Sequence, residues 1–71
     1  MTITTRTEYA QTITENADTN EATASMVQGG RTRVTFGRIE GSEFICSHAA
    51  PSKSYKTPTG AARAIRAWVT R

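Results

Sequence analysis

Few side chains in this sequence can build a core. The large apolar residues after the initiator are Ile3, Tyr9, Ile13, Met26, Val27, Val34, Phe36, Ile39, Phe44, Ile45, Tyr55, Ile65, Trp68 and Val69, spread through 71 residues. A chain of this size buries about 60% of its unfolded surface. Ordering it costs roughly 1.5 kcal/mol per residue, which nearly cancels the gain from burial. One thin core follows, and with it a single domain over residues 1–71. A cofactor pocket with its own walls does not fit such a core, so no cofactor and no enzymatic activity are expected. A protein partner or a second copy of the chain would supply the missing burial, and a homodimer is compatible with that need.

Cys46 is the only cysteine, so no disulfide can form within the chain. Small secreted domains rely on such staples. The opening stretch "MTITTRTEYAQ" has no apolar core of signal-peptide length. No apolar run approaches the roughly 20 residues of a membrane span. A cytoplasmic protein is expected, without contact to a membrane.

The first thirty residues offer two periods. "TRTE" at 5–8 and "DTNE" at 18–21 match capping boxes. Tyr9, Ile13 and Ala17 recur every four residues, and Ala22, Met26 and Val27 make a short stripe before "GG" at 29–30. These patterns predict a helix over 6–16 and another over 19–28, with the glycines as a stop. The competing period is two: Ile3, Thr5, Thr7, Tyr9, Gln11 and Ile13 also alternate, and threonine favours strands.

From residue 31 the period is plainly two. Val34 and Phe36 alternate with Arg33 and Thr35. Phe44, Cys46 and His48 alternate with Ile45 and Ser47, and "EGS" at 40–42 marks the turn of a β-hairpin. Gly37 inside the first strand suggests a bulge, and "SYK" at 54–56 suits a brief third strand. Thr57 and Pro58 then fit the N-cap and first turn of a closing helix. At 100° per residue Ala61, Ala64, Ile65 and Trp68 share one face with Val69 at its edge, and Arg63, Arg66 and Thr70 lie opposite. The expected fold is α+β: two N-terminal helical segments, an antiparallel β-hairpin or three-stranded sheet, and a C-terminal helix packed on the sheet through Trp68.

The net charge of +3 is unevenly spread: residues 1–30 carry −3 and residues 31–71 carry +6. Either the two halves attract each other or the second half meets an acidic partner. Arg31, Arg33 and Arg38 lie on the first hairpin strand, Lys53 and Lys56 precede the helix, and Arg63 and Arg66 project from it. These seven are the candidate partner-binding residues. If the helix packs on one face of the sheet, its arginines and those of the strand point in opposite directions. Cys46 and His48 are two apart on a strand, but zinc takes three or four ligands and nucleophilic chemistry needs an oxyanion hole. They are read as strand residues, not as a catalytic or metal site. Glu8, Glu15, Asp18 and Glu21 are read as solvated or capping carboxylates.

At "SYKTPTGAARAIRAW" the chain resembles the sheet-plus-helix layout of integrase arm-binding domains, over residues 31–69, although it lacks that family's aromatic and arginine strand pattern. As a small threonine- and arginine-rich chain it also resembles phage and prophage accessory proteins of the anti-CRISPR type. That resemblance implies a non-enzymatic inhibitor docking on a host protein or nucleoprotein complex in the host cytoplasm. The basic second half offers the alternative of direct DNA or RNA binding.

Overall fold

Threonine decides the first thirty residues. Thr4, Thr5, Thr7, Thr12, Thr14 and Thr23 are β-branched, stiff at χ1 and better placed on a pleated surface than on a helix. In the computed structural model, which describes all of Met1–Arg71, the expected helices over 6–16 and 19–28 are strands. They are β1 (Ile3–Glu8), β2 (Gln11–Asn16) and β3 (Glu21–Gln28). β4 (Arg31–Glu40), β5 (Glu43–Cys46), β6 (Lys53–Tyr55) and the single helix α1 (Pro58–Val69) follow. The architecture with two N-terminal helical segments is therefore corrected to a six-stranded antiparallel sheet with one C-terminal helix.

The turns explain the correction. Tyr9 and Ala10 both have positive φ, 50° and 64°, the backbone of a two-residue hairpin turn whose hand matches strand twist. That turn interrupts the spacing of four on which the first helix rested. In "DTNE" the Asn16 Oδ1 accepts a hydrogen bond from the Asp18 amide at 2.9 Å, and Asn20 has φ of 65°. The motif closes a β2–β3 turn instead of starting a helix. Gly29 and Gly30, at φ of 56° and 77°, join β3 to β4.

Sheet order follows chain order from β1 to β5. β6 departs from it and pairs with the outer edge of β4 at Thr32↔Tyr55, Arg33↔Ser54 and Val34↔Lys53. β5 takes the other end of the same edge, from Gly37↔Cys46 to Glu40↔Glu43. Alternation along the strands then sorts the side chains. Cross-strand partners Thr23 and Phe36, like Ser25 and Val34, face one way; Ala24 and Thr35 face the other.

Each face holds a small core. On the first, Val34, Phe36 and Ala61 are buried together, with Tyr55, Ala64, Ile65 and Trp68 packed around them. This is where α1 lies. On the second, Ile13, Ala22, Ala24 and Ile39 are buried with Phe44 against them, and no helix covers them. The twist of the sheet accounts for both. A right-twisted sheet is saddle-shaped, concave along one diagonal on each face. The helix fills one trough. In the other, the β4–β5 turn approaches the β1–β2 hairpin, and Ser42, Glu43 and Phe44 line one cleft with Glu8, Tyr9 and Ile13.

The helix begins at Thr57, whose hydroxyl accepts from the Gly60 amide at 3.1 Å, with Pro58 in the first turn. Its far end is tied to β2, where the buried Asn16 donates Nδ2 to the Val69 carbonyl at 2.8 Å. Trp68 is half-buried. It packs on Phe36 with ring centroids 5.3 Å apart and donates Nε1 to the Gly37 carbonyl at 2.8 Å. Gly37 is required because β5 runs against it: a Cβ there would lie 2.1 Å from the Ile45 carbonyl oxygen.

Candidate functional site

The β3–β4 ribbon outruns its neighbour. β2 pairs with β3 only from Glu15↔Ala22 to Thr12↔Ser25, while β3 and β4 continue pairing to Gln28↔Arg31. The ribbon's tip is thus flanked by β6 on one side and free on the other. On the face away from the helix it presents Arg33 opposite Met26 and Arg31 opposite Gln28. No bulge separates the two arginines, so alternation keeps them on the same side.

There Gln28, Arg31 and Arg33 line a groove with Ser52, Lys53 and Ser54, and neither an apolar residue nor a carboxylate shares it. Arg31 donates Nε to Ser54 Oγ at 2.9 Å and Nη2 to the Ser54 carbonyl at 3.4 Å, which fixes its guanidinium against β6. Ser52 Oγ shares a hydrogen bond with Thr35 Oγ1 at 3.0 Å. Arg33 and Lys53 are exposed and make no ion pair. The groove therefore combines one arginine held in position with one free arginine and three neutral hydrogen-bonding side chains, while Lys53, opposite Val34, turns its side chain to the helix side.

Of the residues singled out in the sequence, Arg31 and Arg33 come together here; Lys53 borders the groove, but as the partner of Val34 it points its side chain to the helix side. Arg38 does not. Five positions beyond Arg33, it projects to the helix side and pairs with Glu40 at 3.3 Å. Lys56 is exposed in the link between β6 and the helix. Arg63 and Arg66 stand exposed on α1 without an ion pair, with the sheet between them and the groove. Gln28, Ser52 and Ser54 were not singled out. Gln28 is legible only once "QGGR" is read as a hairpin turn, which makes it the partner of Arg31. The two serines are brought in by the β6 register, for which the sequence carries no signal.

The remaining cation of the first half is already engaged. Arg6 hydrogen-bonds Glu8 at 2.7 Å and also Glu15. The bond to Glu8 and, behind it, the Glu15 carboxylate raise the Arg6 pKa above its ordinary value. Cys46 is exposed at the end of β5, and no group of three or more His, Cys, Asp or Glu side chains is placed to hold a metal ion. No helix is long and apolar enough to cross a membrane.

No family model, no curated protein and no solved structure matches this chain.

Proposed function

We propose that this is a non-enzymatic binding protein that grips the phosphate backbone of nucleic acid through the groove at the end of the β3–β4 ribbon. The observation that carries the reading is the convergence of Arg31 and Arg33 with Gln28, Ser52 and Ser54, free of carboxylates. Arginine, lysine, serine and glutamine are the side chains that bond phosphate oxygens. A protein hot spot is instead built around buried aromatic anchors, and this groove has none.

The exposed arginines of α1 favour a second contact. Arg63 and Arg66 face away from the groove, so they are unsuited to the same stretch of nucleic acid. A carboxylate-bearing protein surface suits them, and arginine is enriched at interfaces. Docking on a larger nucleic-acid-handling complex, with the ribbon on nucleic acid and the helix on protein, accommodates both surfaces.

The test is fluorescence anisotropy of labelled random duplex and single strand at two salt concentrations. Binding should weaken steeply with salt. Replacing Arg31 and Arg33 together by glutamine should flatten the log–log salt slope by about one per lost phosphate contact. No binding at low salt, or wild-type affinity in the double variant, overturns the reading.

A further inference from the structure

The largest cavity in the molecule, about 580 Å³, lies on the helix side of the sheet, away from the basic groove. Arg38 and Ile45, cross-strand partners on β4 and β5, form one wall. Ser47 and His48 from the loop after β5 form another, and Trp68 and Arg71 at the end of α1 close it. A volume of this size suits a small ligand.

Three features select the ligand. The first is the indole of Trp68, which carries the Arg71 guanidinium over its ring at 4.0 Å. The ring face is therefore already covered by a cationic group. The second is that both arginines are loosely held. Arg71 Nε is 3.8 Å from Glu21 on the rim, and Arg38 Nη2 is 3.3 Å from Glu40. In both pairs the arginine is more than half exposed, and such ion pairs contribute little and exchange readily. The third is that carbonyls at the helix end are already taken up in hydrogen bonds. The carbonyls of Arg66, Trp68 and Val69 accept bonds from Thr70, Arg71 and Asn16.

We propose that this cavity binds a nucleotide unit, a planar aromatic base carrying a phosphate. The base stacks on Trp68 in exchange for the guanidinium of Arg71, since bases stack on aromatic rings and guanidinium planes alike. The phosphate takes the planar fork of Arg38, which matches its oxygens, with the Ser47 hydroxyl beside it. A free mononucleotide and an unstacked residue of a single strand share this chemistry. The site stands apart from the basic groove and does not depend on it.

Trp68 is the only tryptophan, so its fluorescence reports the cavity directly. The protein is titrated with 5′-AMP, with a short single-stranded oligonucleotide and with inorganic phosphate. A saturable change with the first two is expected. Arg38→Gln should weaken it by about tenfold, the weight of a charge-assisted hydrogen bond, whereas Arg71→Gln, which removes the group that the base displaces, should not weaken it. Arg63→Gln, on the outer face of the helix, should leave it unchanged. Tighter binding of the oligonucleotide assigns the site to a strand, and tighter binding of 5′-AMP assigns it to the free nucleotide. The proposal is overturned if neither gives a saturable change, if Arg38→Gln responds like the wild type, or if inorganic phosphate reproduces the change at equal affinity.

Discussion

Gly37 and Thr23 are opposite cases of fit at the level of single residues. Gly37 has no space for even a methyl group, because the obstacle is the Ile45 carbonyl and the Cys46 backbone, neither of which can rotate away. Gly37→Ala should lower stability by about 1–3 kcal/mol or more through overpacking, read as an earlier midpoint in urea. Thr23 is fully buried beneath the helix, opposite Phe36, and its hydroxyl has no hydrogen-bond partner. An unpaired buried hydroxyl costs about 1–3 kcal/mol by mutational measure. Thr23→Val keeps the shape and removes that cost, so its urea midpoint should rise. A fall would show that the hydroxyl is satisfied.

Among the elements, the β1–β2 hairpin is the least economical. Tyr9 and Ala10 both occupy the left-handed region, which costs a residue with a Cβ roughly 1–2 kcal/mol. Asn-Gly is the usual pair for such a turn. Ala10→Gly should therefore raise the melting temperature, by the equivalent of up to about 1 kcal/mol, without altering the sheet's circular dichroism. The same choice of residues explains why the hairpin was illegible. A turn without glycine, asparagine or proline leaves the periods of two and four in residues 3–17 unbroken, and two chance capping boxes tipped the balance toward helices. The second half carried proper punctuation. "EGS" marked the β4–β5 turn and "TP" marked the start of α1, and both elements stand where the sequence placed them. The groove was half legible. Its arginines followed from alternation, but Ser52 and Ser54 depend on β6 crossing to the far end of β4, a tertiary fact with no local signal. Gly37, expected as a bulge, marks a close backbone approach.

For the molecule as a whole, the placement of charge matters more than its sum. The sheet separates Arg31 and Arg33 from Arg63 and Arg66, so the two basic surfaces can be tested independently. Replacing Arg63 and Arg66 together by glutamine should change stability by less than about 0.5 kcal/mol, as is usual for exposed sites. Duplex affinity measured by anisotropy should stay near wild type, whereas capture of a protein partner should be lost. A double variant that loses duplex binding instead would place the helix on the nucleic acid.

The coincidence of strand order with chain order has a bearing on biosynthesis. Each strand from β2 to β5 pairs with the one before it, so a chain leaving the ribosome N-terminus first can add strands one at a time to an edge that already exists. No long loop has to close first, and short-range pairing of this kind favours quick assembly. The helix arrives last. Until it does, Val34, Phe36 and the Thr23 hydroxyl face water, and the nascent sheet is half a protein with one wet side. Docking of α1 and sealing of that core are then the same event.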